Sequence, residues 1–155
     1  MSLHVEAATE GDIPAWLELA AEVGDLFGVD MAGDPEFHRT LKCNIARGTA
    51  FCVRVDNELA GAMLFRRGWI NWLAVRKRFR HRGAGRALVT HAILGGENEV
   101  RVTTFGERHP HPEADGARGL YSAMGFELTH AVPKPASDKT PREILVWRAQ
   151  KSRLG

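Results

Sequence analysis

The chain is poor in cysteine, has a single tyrosine, and lacks any carboxylate between Leu59 and Gly96. Each scarcity excludes something. Cys43 and Cys52 form no C-x-x-C pair, so a zinc knuckle or redox dithiol is not indicated. Reduced packing residues are the simpler reading. The longest apolar runs are four or five residues, far short of a membrane span. No basic segment followed by an apolar one opens the chain at Met1–Gly11, so no signal peptide is read and a cytoplasmic setting is expected. There is no Gly-Lys-Ser/Thr of a Walker loop and no G-x-S-x-G elbow.

What remains is globular. With 44% apolar and 26% charged residues, a chain of 155 residues is expected to form one domain over 1–155. The formal net charge of +2 conceals an uneven distribution. The carboxylate-free stretch carries Arg66, Arg67, Arg76, Lys77, Arg78, Arg80, Arg82 and Arg86, while the rest holds thirteen basic against nineteen acidic residues.

Within that stretch the apolar run Trp69–Val75 leads into a basic loop closing on Gly83-Ala84-Gly85, where a helical pattern begins. A strand, a glycine loop and a helix N-terminus together present unpaired N–H groups and a favourable dipole to an anion. Glycine lets a ligand approach the backbone closely. Leu88 stands where a third glycine would complete G-x-G-x-x-G, so a dinucleotide fingerprint is absent.

Periodicity and turn residues supply the other elements. Leu3–Ala8 reads as a strand, and Thr9 with Asp12 as a capping box before a helix with Ile13, Trp16, Leu17, Ala20 and Val23 on one face, ended by Gly24. Asp34-Pro35 opens a second helix that runs to Arg47 and stops at Gly48. Ala50–Val55 and Leu59–Arg66 form a hairpin, followed by a central strand, Trp69–Val75. Then come a helix over Gly85–Leu94, a strand at Glu99–Phe105, a loop over Gly106–Asp115, a helix at Gly116–Met124, and strands at Phe126–Val132 and Arg142–Arg148. The expected architecture is α/β (α+β): a mixed sheet of about seven strands with about four helices on both faces.

Two motifs carry a family resemblance. Arg80-x-x-Gly83-x-Gly85 after a strand resembles the acetyl-CoA pyrophosphate loop of the GNAT superfamily of N-acetyltransferases. About forty residues on, Ala117-Arg118-Gly119-Leu120-Tyr121-Ser122-Ala123-Met124-Gly125-Phe126 resembles the family's A-x-x-x-Y-x-x-x-G-F segment. The resemblance implies that the strands Trp69–Val75 and Glu99–Phe105 splay apart to admit the pantetheine arm. It implies that Arg80, Arg82, Gly83, Ala84, Gly85, Arg86 and Ala87 hold the phosphates, and that backbone groups of Leu73 and Val75 pair with pantetheine. Leu73 N–H would also polarise the thioester carbonyl, and Tyr121 would serve the departing thiolate.

A general base is harder to assign, because Trp69–Val75 contains no acid. Glu107, His109, His111, Glu113 and Asp115 occupy the loop before the tyrosine helix, and His109 is preferred because imidazole titrates near neutral pH. Alternating prolines in His109-Pro110-His111-Pro112-Glu113 keep neighbouring side chains apart, so no metal site is expected. Asp25–Gly33 and Pro133–Pro141 are expected to border the acceptor site, with Phe27 and Met31 as apolar contacts. The expected activity is direct acetyl transfer from acetyl-CoA to a primary amine, without metal or membrane, and a homodimer is left open. Two rivals are a non-catalytic acyl-CoA sensor and a nucleic-acid-binding domain using the basic run, the latter disfavoured by the acidic remainder.

Overall fold

The computed structural model describes residues 3–24, 30–105, 114–129 and 142–149. Its seven strands are β1 (Val5–Ala7), β2 (Ala50–Val55), β3 (Glu58–Arg66), β4 (Trp69–Val75), β5 (Glu99–Phe105), β6 (Glu127–Leu128) and β7 (Arg142–Arg148). Four helices, α1 (Ile13–Glu22), α2 (Pro35–Arg47), α3 (Ala84–Ile93) and α4 (Ala114–Ala123), cover them. The sheet order is β1-β2-β3-β4-β5-β7-β6, with β4 and β5 parallel and the other pairs antiparallel.

Local chemistry explains the boundaries. The Asp12 carboxylate accepts the Thr9 N–H at 2.8 Å, and a short 3₁₀ turn over Glu10–Asp12 leads into α1. Asp34 Oδ1 accepts the Glu36 N–H at 2.9 Å, Pro35 occupies the first turn of α2, and Gly48 ends the helix at φ +76°. Asp56 and Asn57, both at positive φ, make the two-residue turn between β2 and β3. The tyrosine helix differs from expectation: it begins at Ala114, two residues before Gly116. The strand expected over Phe126–Val132 is described as Glu127–Leu128, with the Thr129 N–H continuing to Ile144 O at 3.0 Å.

The sheet has a core on each face. Under α1 and α2 lie Trp16, Leu19, Leu41, Cys52, Leu64, Trp72 and Ala74. Under α3 and α4 lie Val53, Met63, Ile70, Leu88, Val89, Val100, Val102 and Tyr121. Leu19, absent from the expected helix face, is fully buried.

β4 contributes to both cores because it carries a bulge. Phe65 pairs with Ile70 and Leu64 with Trp72, so Asn71 has no partner on β3. Ile70 therefore faces α3 and α4 while Trp72 faces α1 and α2, a reversal of phase that regular alternation forbids. Asn71 is exposed, unlike the rest of β4.

Candidate active site

β4 and β5 pair at Trp69–Arg101 and Ile70–Val102 and nowhere beyond. Past that point the two parallel strands diverge, leaving the Asn71–Val75 edge of β4 without a ladder partner on β5. The Arg76 N–H reaches across to Ala60 O on β3 at 2.8 Å. Alternation then turns the N–H and C=O groups of Leu73 and Val75 the other way, into the opening.

A cleft of about 80 Å³ occupies this wedge. Ile70, Asn71, Trp72 and Leu73 line it from β4, Val102, Thr103 and Thr104 from β5, and Ala117, Leu120 and Tyr121 from α4. The two strands give it two sides. Thr104 is buried beside Val102 toward α4, whereas Thr103 is exposed on the α1/α2 side of β5; Asn71, the bulge residue of β4, is exposed at the cleft as well. Among the described residues lining it there is no carboxylate and no imidazole.

Tyr121 is 4% exposed, with its ring 5.4 Å from that of Phe126. Burial pushes its phenol well above the ordinary value, so the hydroxyl stays protonated and is a donor throughout the neutral range. On the same helix, Arg118 is ion-paired at 3.1 Å with Glu143 of β7, which lies opposite Thr104. Across the cleft, the indoles of Trp72 and Trp16 stack at 5.6 Å, and Trp72 Nε1 donates to Met31 Sδ at 3.1 Å. Met31, expected as an apolar contact of the acceptor, is buried and packs with Trp72. Trp16 Nε1 is buried without a hydrogen-bond partner.

At the far end of β4, Gly83 takes φ +87° as the N-cap of α3 and offers no side-chain cap. The N–H groups of the first turn, from Ala84, Gly85 and Arg86, have no intrahelical acceptors; Ala87 N–H makes the first helical bond, to Gly83 O at 2.9 Å. Gly85 has a different role: a Cβ there would meet Leu120 Cδ2 at 3.0 Å, so its absence lets α3 pack on α4 beside the cleft. His81, at φ +63°, adds a second left-handed residue to the loop.

The basic run is less concentrated than its sequence suggests. Arg76 turns inward, donating to Leu59 O at 2.8 Å and Ala15 O at 3.2 Å and meeting Glu18 at 3.2 Å, which ties α1 to the sheet. Arg78 pairs with Glu58 and lies over the Phe79 ring. Arg66 ends β3 and Arg67 follows it in the turn before β4, at the end of β4 away from the glycine loop. Arg80, Arg82 and Arg86 flank the α3 N-terminus, with Arg82 and Arg86 exposed and Arg82 over the Phe79 ring. Phe27, Glu107, His109, His111 and Glu113 lie outside the described residues, as does Pro133–Pro141, and so does the side chain of Asp115. Asn71 is the site residue that sequence reasoning missed; its signal was a polar residue interrupting an apolar strand.

A diverging parallel strand pair, a helix N-terminus with N–H groups outside the helical ladder and a buried tyrosine are the features of this site. The family model for the acetyltransferase (GNAT) domain matches residues 46–128, and the chain belongs to that family. Similar solved structures include a GNAT-family acetyltransferase from Bacillus cereus (TM-score 0.76, 15% identity, 97% of this chain and 100% of that one). They also include the PaiA N-acetyltransferase of Thermoplasma acidophilum in complex with coenzyme A (TM-score 0.68, 15% identity, 96% and 100%). YncA of Salmonella typhimurium with acetyl-CoA is a third (TM-score 0.72, 13% identity, 99% and 97%). A search of curated protein sequences found no match. Among the described residues no cluster of three or more metal-ligating side chains occurs, and no helix is long and apolar enough to cross a membrane.

Proposed function

We propose that this chain transfers an acetyl group from acetyl-CoA directly to the nitrogen of a primary amine within the β4–β5 wedge. The observation carrying this reading is the placement of Tyr121 on the cleft into which Leu73 and Val75 turn their unpaired backbone groups. The pyrophosphate binds the first turn of α3, where Ala84, Gly85 and Arg86 supply N–H groups and Arg80, Arg82 and Arg86 supply charge; the Ala87 N–H, expected to join them, is taken up by Gly83 O. The pantetheine amides continue the interrupted ladder of β4 through Leu73 and Val75.

The amine nitrogen attacks the thioester carbon, a C–N bond forms, and the C–S bond then breaks. Charge develops first on the carbonyl oxygen, which the Leu73 N–H stabilises, and then on sulfur. Tyr121 meets that sulfur. Its raised pKa makes complete proton transfer to a thiolate unfavourable, since a thiol ionises at about 8.5. A hydrogen bond that strengthens as charge builds up is the role its burial supports. The proton lost by the amine goes to a base in the Glu107–Asp115 segment, for which His109 is proposed, or to water.

The test is thiol release from acetyl-CoA across a panel of primary amines. Amine-dependent release supports the assignment. Tight acetyl-CoA binding with no release for any amine would replace it with the sensor reading.

A further inference from the structure

We infer that the acceptor amine carries an anionic group, a carboxylate or a phosphate, held by arginines beside the wedge while the amine reaches the thioester. This rests on the acetyltransferase reading above.

The register places the arginines. Phe65 and Ile70 are paired and both belong to the core under α3 and α4. The next pair, Arg66 with Trp69, therefore projects from the opposite face, and Trp69 is in turn paired with Arg101. A row Arg66–Trp69–Arg101 thus crosses three strands on the α1/α2 side. It lies two residues before Thr103 on β5, an exposed residue that lines the wedge on that side, and two before Asn71, the exposed bulge residue of β4.

The charges in this row are unequally matched. Arg101 lies 6.0 Å from the Trp69 ring centroid and pairs with Glu99, which also meets Arg148 at 3.4 Å. Arg66 has cations for neighbours: repulsion from Arg47, at the end of α2, and from Arg67 holds its pKa below the ordinary value. Among the described residues no carboxylate pairs with Arg47, Arg66 or Arg67. Thr49 O accepts the Phe65 N–H at 3.0 Å, which brings the end of α2 with Arg47 alongside Arg66, and Arg67 follows in the turn, so three cations share this corner one row from the reaction cleft. A carboxylate or phosphate supplies the missing charge, and guanidinium recognises either one with paired hydrogen bonds. Two residues of strand separate this row from the cleft, about 6–7 Å. An amine and an anion separated by a short alkyl chain span that distance.

The experiment compares kcat/KM for 6-aminohexanoate, 6-aminohexyl phosphate, hexylamine and cadaverine at saturating acetyl-CoA. One or both anionic amines should exceed hexylamine by about tenfold or more, the usual scale of a charge-assisted contact. The two anionic arms distinguish carboxylate from phosphate. In the double variant Arg47→Gln/Arg66→Gln the preference should shrink to within about threefold, with calorimetric acetyl-CoA affinity unchanged as the control for folding. It should also weaken at 0.5 M salt, about the concentration at which exposed charges are screened. Equal or better turnover of hexylamine or cadaverine would overturn the inference, as would a preference that survives in the double variant. Thiol release with none of these amines but with others of the panel would also overturn it. Release with no amine at all would instead remove the acetyltransferase reading on which it rests.

Discussion

Ile70 and Trp72 stand two positions apart on β4 yet point to opposite faces of the sheet, because Asn71 between them is a bulge. The bulge brings Trp72 to the α1/α2 side of the cleft, leaves Asn71 exposed at its rim, and starts the stretch of β4 that has no partner on β5.

Asn71→Ala should therefore leave stability within about 0.5 kcal/mol of the parent, as expected for an exposed side chain. Deleting Asn71 should be far more damaging. It would pair the strand in regular phase and force either Ile70 or Trp72 out of its core, and each is at least 93% buried. Urea denaturation of both variants checks this. A deletion as stable as the point variant would show that the bulge does not set the phase.

The phosphate loop is tested at Gly83, whose φ of +87° strains any side chain but where a Cβ would have space, with Leu3 Cδ1 3.9 Å away. Gly83→Ala should cost about 1 kcal/mol in stability from backbone strain. Gly83→Asp should add a large loss of acetyl-CoA affinity, because it places an anion at the proposed phosphate site. Calorimetry on both variants isolates the charge effect. Equal affinities in the two would remove the phosphate assignment.

Asp12 gives a stability prediction. Its carboxylate is nearly buried, accepts the Thr9 N–H and pairs with Arg54. Burial alone would raise its pKa, but the hydrogen bond and charge of Arg54, with the Thr9 bond, bring it below the ordinary value. A depressed carboxyl pKa contributes stability above the unfolded value of about 3.9, and that stability is lost as pH falls through the folded value. Asp12→Asn should lower stability at pH 7 by about 1–3 kcal/mol. The gap between parent and variant in Tm should close below about pH 4.

The proton acceptor is tested by the pH dependence of kcat/KM. A histidine base gives a rising limb at about pH 6–7, which His109→Ala should abolish. A water relay gives a limb that follows the basicity of the amine. A limb that tracks the amine in both parent and variant would reject His109 and leave the transferase assignment standing.

Much of this was legible in the sequence, because local chemistry dictated it. Asp34-Pro35 and Gly48 bound their helix where expected, Trp69–Val75 and Glu99–Phe105 form strands with the anticipated ends, and β3 begins at Glu58, one residue before the expected Leu59. Three features were not legible, for physical reasons. A bulge depends on pairing with another strand, so Asn71 looked like one polar residue in an apolar run. In the sequence Arg76 is one of eight basic residues in a carboxylate-free stretch, and only tertiary contacts bring Glu18 and Glu22 against it. Gly85 was read as part of a phosphate cradle, while packing shows that it also clears space for Leu120.

The central claim is tested most directly by following the acetyl group itself. Acetyl-CoA labelled with carbon-13 in the acetyl group is incubated with an accepted amine, and mass spectrometry and NMR locate the label. The label should appear in an N-acetyl amide. Tyr121→Phe should form the same amide about a hundredfold more slowly at unchanged acetyl-CoA affinity, since the lost hydroxyl acts on charge present only in the transition state. Label recovered only as free acetate, or amide formed at the parent rate by Tyr121→Phe, would contradict the account.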